Sequence, residues 1–370
     1  MPRIVLAYAA HNTFRGGGAD LRVDALARVL GKHADIELVG GPDDPVGEPS
    51  MATRAAAALR GIAPRFAHGL DSRLIREVHV ASLRADLVVA CTLFSAPLVR
   101  GVRRTPVVLD AHNVESNVTR QMAVTDPSRR RRLGYRATQP WTRRYEVSAA
   151  RRAASVWAVS PEDQHWFEVN GRRTVLAPNG VWLPPQVPGP SDRPTIAFVA
   201  SLAGSFNRQG LEWLLSDIWP QVRSRVPEAE LLIAGLGSDA YRGEGVHGLG
   251  FVADLRDVYT RARAVVVPLL SGGGTRLKHL EAMAWGLPVV ATSVGAEGLS
   301  MLKPGTDFLA ADSSTDFTEQ VVGLLTDVTR ARQLGVAARQ AAGQYEWTSS
   351  LQPAVEDLNW LLDPEVRRRR

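Results

Sequence analysis

One cysteine in 370 residues is the first constraint this sequence sets. A lone thiol, Cys91, permits no internal disulfide, so the fold rests on a hydrophobic core and a reducing cytoplasm is the expected compartment. Lysine is nearly as scarce. Lys32, Lys278 and Lys303 are all of it, so arginine carries almost the whole positive side of a +6 net charge. The arginine runs at 129–132, 143–144, 151–152 and 367–370 are not interleaved with aromatics as a single-strand nucleic-acid groove requires, and each reads first as a solvated helix face. No nucleic-acid partner is expected. No apolar run reaches the length of a membrane-spanning helix. The sequence also lacks an Asp-x-Asp pair to hold a divalent cation on a diphosphate, a G-x-S-x-G elbow and a Walker A loop, and its eight histidines are scattered.

What is present is a globular composition, 45% hydrophobic and 22% charged, long enough for two cored domains. The start, MPRIVLAYAAHN, has a cation and a short apolar run like a leader, but the run is too short and reads as a first β-strand. Apolar β runs follow at DLVVAC, PVVLD, SVWAVS and TVLAP, with helical patterns between them at 18–30, 71–83 and 127–154. This βαβ rhythm predicts a doubly wound parallel sheet. The stretch VWLPPQVPGPSDRP interrupts it and reads as a linker at 184–194. The rhythm then restarts with TIAFVAS, AELLIAG, ARAVVVPLL and LPVVAT. The expectation is an α/β chain of two Rossmann-like domains, 1–183 and 195–346, with a helical tail at 347–370 that crosses back to the first. Ligands of such sheets sit beyond the strand C-termini, so two facing domains would make a cleft lined by strand-end loops.

The most informative loop is SGGGTRLKHLEAMAWGLPVVAT, from Ser271 to Thr292. Glycine lets backbone N–H groups approach a ligand at the positive end of a helix. Thr275 is the expected cap, and Gly286 with Pro288 the expected stop. Arg276 and Lys278 in the first turns have the wrong sign for the helix dipole, a defect that a bound polyanion reverses. Glu281 stands on the margin of the apolar face formed by Leu277, Leu280 and Ala284, where a carboxylate is costly unless hydrogen-bonded. The plainer alternative is an ordinary strand-to-helix turn with Lys278 and Glu281 as a surface pair. A second candidate, GLGSDA at 235–240, matches a dinucleotide fingerprint but is followed by loop residues and no strand-end acid, so a nicotinamide dehydrogenase is the weaker alternative.

In order and content these motifs resemble the GT-B glycosyltransferases, in particular the retaining family 4 (glycosyl transferases group 1), over nearly the whole chain. GGGAD is similar to that family's glycine loop, DAHNVES to its histidine loop, Asn179-Gly180 to its end-of-domain signature and GFVADLRDVY to its base-binding loop. The segment 275–299 is the most specific match. The resemblance implies transfer of a sugar from a nucleotide-sugar donor, with retention and without a metal. No cofactor is implied beyond the nucleotide sugar as co-substrate.

Carried onto this chain, the resemblance gives Glu281 the donor ribose and the amides of Gly273, Gly274 and Thr275 the diphosphate or sugar. Gly17 and Gly18 would approach the phosphates, Phe251 and Val252 would border the base, and His112 would stand near the transferring sugar. The loop ASLAGSFNRQG would contribute Ser201 and Arg208. Two departures stand out. Gly273 occupies the position of the first motif Glu, and the loop offers only Arg208 where the family often has Arg and Lys, so Arg276 and Lys278 are expected to neutralise the leaving diphosphate. Nucleotide-sugar epimerases and phosphorylases of the same architecture remain alternatives. The acceptor is left open. The arginine clusters of the first domain carry the charge to attract an anionic acceptor or to make peripheral contact with an anionic membrane.

Overall fold

The computed structural model describes residues 1–10, 17–126, 128–170, 173–272 and 275–368. The chain divides into two compact units, Met1–Asn179 with Ser350–Arg370, and Gly180–Ser349.

The first unit is built on a parallel sheet of β1 (Arg3–Tyr8), β2 (Asp35–Gly40), β3 (Leu87–Cys91), β4 (Val107–Ala111), β5 (Ser155–Ala158) and β6 (Thr174–Leu176), in the order β2-β1-β3-β4-β5-β6. The central strands read as unbroken apolar runs because helices cover both faces, and β3 and β5 are buried along their whole length. Strand β2 lies at the edge and is largely exposed, so its sequence, DIELVG, carries no such run and sequence reading misses it. The arginine-rich helix spans Arg129–Arg152, with Ser128 accepting from the Arg131 amide at its start. It buries Thr142, Tyr145, Glu146, Ala149 and Ala150.

After the second unit the chain returns. The Gln352–Leu362 helix packs on the first unit, where Asp357 accepts hydrogen bonds from Trp157 Nε1 (2.9 Å) and Arg173 Nε (2.8 Å). Both acceptors of a buried carboxylate are thereby used.

The second unit repeats the design with β7 (Thr195–Val199), β8 (Glu230–Ala234), β9 (Arg242–Gly243), β10 (Val246–Gly250), β11 (Ala264–Val267), β12 (Val289–Ala291) and β13 (Leu309–Ala310), ordered β13-β12-β11-β7-β8-β10-β9. Only β9 is antiparallel to its neighbour. The proline-rich segment expected as a linker lies inside this unit, and the divisions fall at 179/180 and 349/350 instead. Proline removes amide donors and regular structure but leaves carbonyls to accept. Buried Arg263 donates to the carbonyls of Ser191 and Asp192, and Arg339 to that of Pro184. The segment is a strap. Among the described residues no helix is long and apolar enough to cross a membrane.

Candidate active site

In the first unit the Gly18–Leu30 helix and the end of β4 are joined by one buried ion pair. Arg22, on the Gly18–Leu30 helix, has no solvent exposure, nor has Asp110 at the end of β4. Arg22 Nη2 lies 2.6 Å from Asp110 Oδ1, and its Nε is 3.0 Å from both oxygens. Its Nη1 donates to the Pro178 carbonyl and to Asn179 Oδ1, at the end of the unit's continuous segment. Burial alone would raise Asp110, but the Arg22 charge and the His112 contact outweigh it and hold the carboxyl well below the usual range.

His112 Nε2 lies 2.8 Å from Asp110 Oδ2. An ionised carboxylate only accepts, so Nε2 carries the hydrogen, which in the neutral tautomer leaves the lone pair on Nδ1. Below it, the amides of Glu115 and Ser116, at the start of the Glu115–Thr125 helix, donate to the Glu146 carboxylate (2.6 and 3.1 Å). Burial pushes Glu146 up to about 8. Arg22, Asp110 and Glu146 are the groups that sequence reading misses here. The signal for Arg22 is a cation in line with Leu26 and Val29 on a buried helix face.

Of the glycine loop, Gly17 and Gly18 are among the described residues. Gly17 is the helix N-cap, and its amide donates to Asp20 Oδ2 (3.1 Å), so that N–H is already engaged. Asp20 also accepts from the Tyr8 hydroxyl at 2.7 Å. Gly18 opens the helix and is exposed.

In the second unit the helix expected over 275–285 spans Leu277–Ala284, with Arg276 rather than Thr275 at the N-cap. The Thr275 side chain is not the cap; its carbonyl accepts from the Leu277 amide, a tight turn that draws Arg276 inward. Gly286, at φ 71, ends the helix as expected. Gly273 and Gly274 lie outside the described residues.

The two cations of the helix start are not equivalent. Arg276 is 5% exposed, donates to the Val294 carbonyl (2.8 Å) and pairs with Glu297 (2.9 Å). Its guanidinium lies so close to Gly272 that a Cβ there would stand 2.9 Å from Nη1. Lys278 reaches a neutral partner, Asn207 Oδ1, at 2.6 Å. Burial, and then the charge of Arg276, pull Lys278 down to about 7.

Asn207 in turn donates to the Ser201 carbonyl at 2.8 Å, which ties the loop after β7 to the lysine. Ser201 is exposed beside it. Arg208 folds back on the carbonyls of Leu202 and Ala203 and serves its own loop. Ser271, after β11, donates to Gln209 at 3.1 Å.

Glu281 accepts from the Tyr259 hydroxyl at 3.3 Å, and burial pushes it up to about 7 against that single bond. Lys278 and Glu281 therefore take Asn207 and Tyr259 as partners rather than each other. Phe251 stands 60% exposed just past β10, while Val252 packs on the core. The expected donor residues Ser201, Phe251, Val252, Thr275, Arg276, Lys278 and Glu281 all follow strand C-termini of one sheet. Asn207 and Tyr259 are additions the sequence did not single out.

The GLGSDA loop has a structural explanation. Gly235 sits at φ 134, and a Cβ there would stand 2.0 Å from the Ala200 carbonyl oxygen. Ser238 Oγ bonds to the Ile233 carbonyl and accepts from the Gly250 amide, and a short 3-10 turn follows instead of a long helix. A dinucleotide fingerprint needs that helix.

Residues 193–327 match the family described as glycosyl transferases group 1. Over 179 residues the chain is 30% identical to the GDP-mannose-dependent alpha-(1-6)-phosphatidylinositol monomannoside mannosyltransferase of Mycolicibacterium smegmatis. Over 181 residues it is 25% identical to an uncharacterized 44.6 kDa protein in the cps region of Klebsiella pneumoniae. Each match covers 43% of this chain and 46% of the relative, so the chain spans about half the length of the curated relatives it matches. Likeness in structure extends further. Anabaena HepE in complex with UDP-glucose superposes with a TM-score of 0.68 at 17% identity, covering 97% of this chain and 99% of that one. Sucrose-phosphate synthase of Thermosynechococcus elongatus gives 0.70 at 19% identity, covering 98% and 99%. The chain has the GT-B fold, with two Rossmann-like units, and the second unit holds its match to the glycosyl transferases group 1.

Proposed function

We propose that the protein is a glycosyltransferase that moves a sugar from a nucleoside-diphosphate donor to an acceptor hydroxyl. The observation that carries this reading is the pairing of Lys278 and Glu281 with neutral partners only. Lys278 is a hemmed-in cation facing an amide oxygen, and Glu281 a hemmed-in carboxylate facing one phenol. A nucleoside diphosphate supplies what both lack. Its phosphates match the ammonium group and its ribose hydroxyls donate to the carboxylate. Three residues apart on one helix, the two groups stand roughly 5–6 Å apart at Cβ. HepE was determined with UDP-glucose and the mycobacterial relative is named for GDP-mannose, so uridine and guanosine donors are the first to try.

As the anomeric carbon–oxygen bond breaks, negative charge grows on the departing diphosphate, and Lys278 stabilises it more in the transition state than before. Arg276, matched by Glu297, holds the 294–297 turn against the helix and adds field rather than a free donor. Glu281 acts on the bound donor. His112, its tautomer set by Asp110 and Arg22, offers Nδ1 to a substrate hydroxyl. Retention and independence from divalent metal belong to the same proposal. The first is supported by the likeness of 275–299 to retaining enzymes, the second by a cation positioned for the phosphates. Anomeric proton NMR of the product and turnover in EDTA test them.

The deciding experiment is a thermal-shift panel of UDP, GDP, ADP and dTDP beside NAD and NADP. A ligand that binds the native state raises Tm by mass action. The expected result is a shift with UDP or GDP that Lys278→Gln reduces. A shift with NAD alone refutes the proposal.

A further inference from the structure

The second half of the arginine-rich helix borders a groove of about 940 Å³ in the first unit, between the helices Glu115–Thr125, Arg129–Arg152 and Pro161–Val169. Five arginines line it: Arg120, Arg143, Arg144, Arg151 and Arg152, with Trp166 as the aromatic wall. Among the described lining residues there is no carboxylate. Helical spacing explains the gathering. Arg144 and Arg151, seven positions apart, lie within roughly 20° of each other on the helix and about 10.5 Å along it, with Arg143 and Arg152 flanking them on either side. Val147 and Ser148 form the shorter floor between them.

A solvated cationic face spreads its side chains into water. Here the five exposed arginines border one concave surface, so their positive field is summed there and favours an anion. Burial and the neighbouring Arg100 charge lower Arg152, as crowding of cations does. Arg151 Nε donates to the Asn170 carbonyl at 3.2 Å, which holds that side chain on the rim.

We propose that this groove is a binding site for a ligand carrying two or more phosphate groups on a compact polar body. Its volume is that of a small-molecule pocket, on the order of 300–1,000 Å³, and far exceeds one phosphate. Guanidinium forks match phosphate oxygens in bidentate geometry, and the two arginine pairs suit two separated phosphates. A single aromatic in the groove does not form the stacking track of a single-strand nucleic-acid binder. The site stands independently of the transferase reading, because its residues are all in the first unit and none belongs to the donor set.

The test uses the full chain and the double variant Arg143→Gln/Arg144→Gln, measured by calorimetry and vesicle co-sedimentation. Probes are inorganic pyrophosphate, inositol hexakisphosphate, and vesicles of phosphatidylcholine containing phosphatidylinositol bisphosphate, with pure phosphatidylcholine vesicles as blank. Binding by the wild type should weaken with salt, and the variant should lose on the order of tenfold or more in affinity. Its Tm without ligand should be unchanged or higher, since repulsion is relieved, and its UDP or GDP shift should match wild type. Binding of the soluble probes alone assigns a soluble phosphorylated ligand, and binding of the vesicles alone assigns a lipid headgroup. Binding of neither overturns the proposal. So does a variant that binds like wild type, one that loses the nucleotide shift as well, or a wild type that prefers a single-stranded oligonucleotide to every phosphate probe.

Discussion

At pH 8 a Lys278 amine with a pKa near 7 is roughly nine-tenths neutral while its site is empty. A diphosphate beside it favours the ammonium form, so binding there should draw in close to one proton. At pH 6 the amine is already charged, but Glu281, also near 7, is roughly nine-tenths protonated. Ribose hydroxyls donate to the ionised carboxylate, so binding at pH 6 should expel close to one proton. The two groups together predict a net uptake of about 0.8 proton at pH 8 and a release of about 0.8 at pH 6.

Calorimetry in two buffers of different ionisation enthalpy reads this number directly. The nucleotide's own terminal phosphate ionises near pH 6, so the differences between variants and wild type carry the test. Lys278→Gln should remove the uptake at pH 8, and Glu281→Gln the release at pH 6.

Stability follows the same shifts. Lys278 is lowered from 10.5, so the unfolded chain binds the proton more tightly, and stability of the empty protein rises with pH from about 7 to 10.5. Glu281 is raised from 4.5, so stability falls as pH rises from 4.5 to about 7. At neutral pH both groups burden the empty fold, by at most about 5 and 3 kcal/mol. Water reaching these half-buried side chains reduces both figures. Each neutral variant should melt no lower than wild type while losing part of the ligand-induced stabilisation. Equal proton counts in wild type and both variants at both pH values would refute the reasoning.

Other perturbations probe the rest of the frame. Arg22→Leu leaves Asp110 buried, charged and unpaired, and should cost about 3–5 kcal/mol in urea unfolding; a loss under about 1 kcal/mol would contradict the buried pair. Asp110→Asn should lower turnover on the order of tenfold or more at unchanged donor affinity, because the His112 tautomer is no longer fixed. Asp110 is held below its ordinary 3.8, so its stabilisation is complete above about pH 4 and fades as pH falls further; the Asn variant should lose that acid limb. Gly235→Ala forces a Cβ against the Ala200 carbonyl at a positive φ and should destabilise by at least about 2 kcal/mol, read as a fall in Tm.

Much of the second unit was legible in the sequence because its elements announce themselves locally. The buried strand Val289–Ala291 and the helix stop at Gly286 both use near-neighbour physics. The partners of Lys278 and Glu281 were not legible. Asn207 and Tyr259 lie 71 and 22 residues away, and only the packed sheet brings them in. Arg22 was hidden for a different reason: in an arginine-rich chain one more arginine gives no signal unless its helix face is read. The proline strap shows the limit of composition. Five prolines exclude helix and strand at 184–194, yet they leave carbonyls that Arg263 and Arg339 collect.

The returning Gln352–Leu362 helix has a consequence for how the protein is made. Asp357 is synthesised 200 residues after Trp157, whose indole N–H it accepts. At roughly 5–20 residues per second that is a wait of about 10–40 s, during which the whole second unit emerges. The first unit, although begun first, is the last to be completed, and its Trp157 and Arg173 stay without their carboxylate until then. A nascent chain of this design exposes the seat of the Gln352–Leu362 helix to chaperones throughout elongation. Ribosome stalling anywhere between the two units would leave the amino-terminal sheet unsealed.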